Sequence, residues 1–306
     1  MPSANRNTNV EPVDYQAVWP APSAASALRP AHLPALFFVG PPRTATTWLH
    51  SVLKDRMSLP RLKETYFFDK LYWRGFNWYL AHFSESESGR IRAEIGPSYF
   101  FSAPARERIH AAAGDVRIVV TLRDPIERLH SLYKMRYANA AFRWSFEEAC
   151  QRDAELRSTG ECAPHLAAWR QRFGQHHVTT LLYEDLLADP QAWIDRVCAF
   201  CGIPGFQLIA AQMGPVHSSG TSVIPRHPRW TRLGVSVGNW IYDQEWERAV
   251  ALIKRLRLRR LFLESGTRFP KLDREVEQRM RRKLAPDIEE LESMLGRDLA
   301  MWKPSR

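Results

Sequence analysis

From Ala35 onward, short apolar runs alternate with stretches whose apolar residues recur at helical spacing. ALFFVG is followed by TTWLHSVLKDR, IRAEIG by APARERIHAAAG, VRIVVTL by PIERLHSLYKMRY, and HHVTTLLY by DPQAWIDRVCAFCG. Apolar runs of a strand's length, without polar alternation, suit strands covered on both faces. With a helical stretch after each, the pattern predicts an α/β fold of three layers, a P-loop-like arrangement with a central, mainly parallel sheet of about five strands flanked by helices.

The pattern also divides the chain. Residues 1–33 carry Pro2, Pro12, Pro20, Pro22 and Pro30 among Ala, Ser and Asn without hydrophobic period, and read as a flexible arm. A single domain follows over 34–306. Within it, 214–234 is rich in Gly, Ser, Pro and Arg and reads as a long loop. Helical signals return over about 235–306: EWERAVALIKRLRLRRLFL, then LDREVEQRMRRKL, then PDIEELESML, opened by Pro286 and stopped by Gly296. The basic run Lys254, Arg255, Arg257, Arg259, Arg260 reads as a solvated helix face.

Composition narrows the classes. At 45% hydrophobic and 25% charged residues, 306 residues bury a sizeable core, which excludes a disordered chain. No apolar window reaches the ~18 residues of a membrane span, and the first residues lack the pattern of a secretory signal, so a cytoplasmic protein is expected. Four cysteines exclude a disulfide scaffold. Cys198-x-x-Cys201 lies in an amphipathic helical pattern with no second ligand pair nearby, and reads as buried thiols, not a metal site. The net charge of +10 suits nucleic acid, an anionic surface or a polyanionic small ligand, and does not choose among them.

Two segments choose. LFFVGPPRTATTWLHSVL places a strand, a tight turn and two threonines at the opening of a helix, which aims unpaired N–H groups and the positive helix end at an anion. Arg43 adds a fixed charge there, and Thr46 and Thr47 add hydroxyls. Against the nucleotide-kinase loop G-x-x-x-x-G-K-[ST], Gly40 fits, but Ala45 replaces the second glycine and Thr46 the lysine. VRIVVTLRDPIERLHSLY then sets Arg123 at a strand end and Ser131 two helical turns inside the next helix, able to close on one phosphate. Two such sites at the carboxyl ends of parallel strands suit a ligand carrying two anionic groups.

These residues resemble the sulfotransferases that use 3′-phosphoadenosine 5′-phosphosulfate (PAPS). Arg43, Thr44, Ala45, Thr46, Thr47, Trp48 and Leu49 resemble that family's 5′-phosphosulfate loop, with Ala45 in place of its glycine. Arg123, Asp124, Pro125, Arg128, Ser131 and Tyr133 match R-[DE]-P-x-x-R-x-x-S-x-Y, whose arginine and serine hold the 3′-phosphate. Lys63, Glu64, Phe67, Phe68 and Asp69 match the K-E-x-x-F-F-D element of the branch acting on heparan-type sugars. EIGPSYF resembles that branch's next element at Glu94, Pro97, Tyr99 and Phe100, with Ile95 where a lysine is usual.

The resemblance implies sulfuryl transfer from PAPS, leaving 3′-phosphoadenosine 5′-phosphate (PAP), to a hydroxyl or amine of a carbohydrate, lipid or natural-product acceptor, with no metal required. It implies Glu64 as general base, with Lys63 and Arg43 beside the reacting group. It implies cofactor binding by residues 43–48 with Arg123 and Ser131, and acceptor binding by Phe67, Phe68, Asp69, Glu94, Pro97 and Tyr99. The aromatic stretch through Tyr72, Trp73, Phe76, Trp78 and Tyr79 is a further candidate acceptor wall. Later segments, with His165, Trp169, Glu184 and Asp185, read as packing and capping; Gly220, Arg226 and Arg229 are candidates for closing over the cofactor. Nucleic acid is not expected as a partner. Two other readings compete: a P-loop kinase using Mg-ATP, and a non-catalytic basic protein binding nucleic acid or an anionic surface.

Overall fold

A computed structural model describes residues 32–84, 89–139, 141–213, 223–225, 231–232, 236 and 266–304. The expected arm (save residues 32 and 33), most of the 214–234 loop with Gly220, Arg226 and Arg229, and the basic run Lys254 to Arg260 lie outside the described residues.

Each apolar run identified above forms a strand: β1 Leu36–Phe38, β2 Ala93–Ile95, β3 Arg117–Leu122 and β4 Val178–Leu182. They make one parallel sheet in the order β2-β1-β3-β4, four strands among the described residues where about five were expected. A short antiparallel pair, β5 Val223–Pro225 with β6 Gly266–Arg268, stands apart.

Strand alternation sorts the core into two layers. Phe37, Ile118 and Val120 face one side, against Ile109, Leu129 and Trp169. Leu36, Phe38 and Val119 face the other, against Leu49, Leu53, Trp193 and Val197. The helices over them start where capping chemistry dictates. Asp124 accepts from the N–H groups of Ile126 and Glu127 to open Pro125–Ala138, and Asp189 caps Pro190–Cys201. Cys198 and Cys201 lie buried on the latter helix, and all four cysteines are free thiols.

Pro286 departs from expectation. It does not open a helix but lies inside a continuous one, Arg274–Leu295, capped by Asp273 and ended by Gly296 in the left-handed conformation. An interior proline costs roughly 3 kcal/mol. Burial of Met280, Leu284, Ile288 and Leu291 along one face offsets it. So does Asp287, whose carboxylate accepts the N–H groups of Cys162 and Ala163 and thereby caps the Ala163–Phe173 helix, which has no side-chain cap of its own.

Candidate active site

The carboxyl ends of β1 and β3 open onto one edge, and the first anion loop leaves β1 there. Gly40 is required at the exit, since a Cβ would lie 2.5 Å from the backbone of Thr121. The loop then takes two non-glycine residues into positive φ, Arg43 at 77° and Ala45 at 67°, before the Thr46–Leu53 helix begins. Such turns point successive N–H groups into one concavity. Thr44 spends its hydroxyl on the loop itself, donating to the Pro41 carbonyl at 2.7 Å. Trp48 turns away into the core: it packs edge-on against Trp193, and its indole N–H donates to the Gln212 carbonyl at 2.8 Å. Its side chain is thus a packing element, a correction to its expected place among the cofactor contacts.

Arg43 reaches across to the second anion segment. Its Nε–H donates to Ser131 Oγ at 2.9 Å, and its Nη1 donates to the Met135 sulfur at 3.9 Å. Arg123 lies against the same loop, donating from Nη1 to the Arg43 carbonyl at 3.3 Å. Burial, and then the charge of Arg123, lower the pKa of the Arg43 guanidinium. Two cations and a hydroxyl are thus gathered, with Arg123 also donating from Nη2 to the exposed Glu127 carboxylate at 3.2 Å, a donor set suited to a phosphate.

Supports for this pair lie in residues assigned to packing or not singled out. The Tyr183 ring sits under the Arg123 guanidinium at 4.5 Å, and Glu184 accepts the Asp124 N–H at 2.8 Å. The register reveals both, because Leu182 lies opposite Leu122 and the residues that follow must be neighbours. From the far helix, Arg281 donates to the remaining Asp124 oxygen at 2.8 Å and to the Trp302 carbonyl at 2.6 Å. Nothing local in the sequence pointed to Arg281. Arg128 is fully buried, its Nη2 donating to the Thr159 carbonyl.

The candidate base lies beside the first loop. Lys63 Nζ donates to Thr47 Oγ1 at 2.7 Å and to Glu64 Oε1 at 3.2 Å, while the Tyr66 hydroxyl donates to Glu64 Oε2 at 2.8 Å. One lysine therefore links the carboxylate to the helix opening at Thr46 and Thr47. His50, one turn along that helix from Thr47, has its pKa lowered by burial and then by the charge of Lys63. The 63–66 segment is tightly shaped, with Tyr66 at φ 53°.

The expected acceptor residues are placed differently. Phe67, Phe68, Glu94 and Tyr99 have no exposed surface, and Pro97 is buried. They belong to the core because Phe67 stacks on Tyr79 at 4.5 Å and Phe68 packs edge-on against Phe37 and Tyr99. Here they form the back of the site, not its lining. Asp69, partly exposed, accepts the Lys70 N–H, and burial raises its pKa. Of the aromatic stretch, Tyr72, Phe76 and Trp78 pack partly buried on the core, and Trp73 is exposed. Trp169 and His165 are packing residues, and Asp185 pairs with Arg297 and Arg196.

A model of the sulfotransferase family matches residues 96–207, which include Arg123 and Ser131. Human heparan sulfate glucosamine 3-O-sulfotransferase 6 is 30% identical over 180 residues, covering 56% of this chain and 52% of that protein. A bifunctional heparan sulfate N-deacetylase/N-sulfotransferase 4 from Mus musculus is 25% identical over 203 residues, 56% of this chain and 22% of that one. The chain thus spans about half the length, or less, of these curated relatives. The crystal structure of a sulfotransferase from Alicyclobacillus acidocaldarius shares the fold with a TM-score of 0.63 at 20% identity, over 88% of this chain and 98% of that one. The family match takes in the Arg123 turn, and the relatives it resembles are named as sulfotransferases; the chain is thus similar to sulfotransferases in sequence over this region and shares their fold.

Proposed function

We propose that the protein is a PAPS-dependent sulfotransferase whose single domain spans 34–306 and whose base is Glu64. The observation that carries the reading is the convergence of Arg43, Arg123 and Ser131 where β1 and β3 end, with Glu64 joined to the same loop through Lys63 and Thr47. The donor set fits a nucleotide phosphorylated at both ends: Arg123 and Ser131 would hold the 3′-phosphate, while Arg43, the backbone N–H groups of residues 43–47 and the hydroxyls of Thr46 and Thr47 would hold the 5′-phosphosulfate. Bound PAPS supplies an activated sulfuryl group with a good leaving phosphate.

The chain's own groups do the rest. Glu64 Oε2 takes the proton of the acceptor hydroxyl, and the Tyr66 hydroxyl and Lys63 ammonium fix the carboxylate's direction. Lys63 and the helix N-terminus place positive charge where negative charge grows on the departing phosphate. The names of the relatives favour an amino-sugar hydroxyl as acceptor. A lipid or natural-product hydroxyl meets the same geometry. Buried free thiols accord with a reducing cytoplasm. The Mg-ATP reading is disfavoured because Thr46, at the position of the kinase lysine, brings no cation to the phosphates.

Calorimetric titration with PAP, AMP, ADP and Mg-ATP tests the reading. PAP binds without metal, and Arg123→Ala weakens it by roughly 10- to 100-fold, the weight of one or two charge-assisted hydrogen bonds. Adenosine 5′-phosphosulfate, which lacks the 3′-phosphate, loses little. Equal losses for both nucleotides, or preference for Mg-ATP, overturn the assignment.

A further inference from the structure

Glu94 is an acid in a place built for apolar residues. It occupies the middle of β2 between Ala93 and Ile95, with no exposed surface, opposite Phe37 of β1. A carboxyl group so placed is costly unless its oxygens are satisfied. Three hydroxyls satisfy it, from three different elements. Thr65 and Tyr99 donate to Oε1, the latter at 2.8 Å, and Tyr79 donates to Oε2 at 2.6 Å.

The same hydroxyls also hold the backbone of the base loop. The Phe67 N–H donates to Thr65 Oγ1 at 3.1 Å, and the Phe68 N–H to the Tyr99 hydroxyl at 3.3 Å. Thr65 Oγ1 and the Tyr99 hydroxyl are themselves 3.1 Å apart. Gly96 permits this, since a Cβ there would collide with the Tyr99 ring. Between the loop and the sheet, then, one carboxyl group gathers the polar contacts of Thr65, Phe67 and Phe68. Thr65 directly follows Glu64, and Tyr66, which directs the Glu64 carboxylate, is held at positive φ between two of these pinned residues.

We propose that Glu94 is a positioning residue: from inside the core, through Thr65 and Tyr99, it fixes the 63–68 loop in the shape that sets the Glu64 carboxylate beside Lys63 and Thr47. The role rests on the reading of Glu64 as base. It differs from contact with an acceptor, which a side chain without exposed surface does not make.

Amide hydrogen exchange and the carboxyl resonance of Glu64, from 13C-labelled glutamate, test it on the full chain with PAP bound. In Glu94→Gln and in the near-isosteric Thr65→Val, exchange at Phe67 and Phe68 accelerates by roughly 10- to 100-fold, while the β3 amides keep their protection. The Glu64 resonance, single in the wild type, broadens or splits. Thr65→Ser, which restores the hydroxyl, behaves as wild type, and PAP affinity stays within about twofold throughout, because the anion sites lie on other elements. Unchanged exchange and an unchanged Glu64 resonance in both disruptive variants overturn the proposal. So does equal acceleration at β3, which makes Glu94 a support of the whole sheet. Failure of the wild type to bind PAP is a separate outcome: it overturns the sulfotransferase reading, whatever the loop does.

Discussion

The proposed nucleotide side of the site and the proposed base side use polar groups in opposite ways. Around Arg43, Arg123 and Ser131, guanidinium and backbone donors face an edge of the sheet, and their supports, Tyr183, Glu184 and Arg281, stand behind them. Around Glu64, one carboxylate faces outward while the larger polar network, Glu94 with Thr65, Tyr79 and Tyr99, is sealed in an aromatic core. An anion site gains from many donors and tolerates some freedom in each, because the ligand's charge organises them. A base must be held within tenths of an ångström, which requires a rigid backing. The difference predicts that damage on the two sides separates: binding falls on one, turnover on the other.

The largest effect tests that separation. Glu64→Gln keeps the shape of the side chain and removes its basicity, and lowers turnover by about 100-fold or more. PAP affinity in the same variant stays near the wild-type value. Radiolabelled sulfuryl transfer from PAPS to a glucosamine oligosaccharide, beside calorimetry with PAP, measures both. Should affinity collapse together with turnover, Glu64 belongs to the nucleotide side and the comparison fails.

How much of each side was legible follows from the same contrast. The anion loop and the Arg123 turn are each a continuous stretch of chain, and their chemistry depends on strand ends, helix openings and fixed charges, all of which leave local patterns. The four strands and the helices after them were readable for the same reason. The base loop was readable as a motif, yet Phe67, Phe68, Glu94, Pro97 and Tyr99, expected against an acceptor, lie buried, since residue type alone does not say whether a position faces the core or the cleft. Arg281 was invisible, being brought to Asp124 only by tertiary packing of the last long helix. Pro286 misled because the helix rule it obeys in isolation yields to the buried face around it.

A second, smaller effect probes the sealed side through pH. Burial raises the pKa of Glu94 from 4.5 to about 7. Between those values the folded chain keeps a proton that the unfolded chain has released, so stability falls as pH rises through the window and levels off above it. At about 1.4 kcal/mol per pKa unit, the loss attributable to Glu94 is roughly 3 kcal/mol. Asp69, Tyr79, Tyr99 and Arg92 are the other charged or titratable groups coupled to the network, and all four remain in Glu94→Gln. Urea midpoints of wild type and variant at pH 5 and pH 8 isolate the difference. The variant gains on the wild type as pH rises; parallel behaviour shows that Glu94 does not titrate in this window.

The smallest effect belongs to the open side. Ala45 sits at φ 67°, ψ 22°, the left-handed conformation in which a Cβ costs about 1 kcal/mol, and immediately precedes the Thr46–Leu53 helix. Arg43, two residues earlier, carries the same penalty at φ 77° and cannot shed it without losing its guanidinium. Ala45→Gly removes the strain at one position and adds freedom to the unfolded chain, so the net gain in stability is about 0.5 kcal/mol. Because the loop's shape is already imposed by the Thr44 bond to Pro41 and by Arg43 on Ser131, PAP affinity changes little. Thermal unfolding and calorimetry on the same sample distinguish the outcomes. A large gain in affinity from glycine means that Ala45 obstructs the concavity; a loss of stability means that the loop takes a different conformation from the one described.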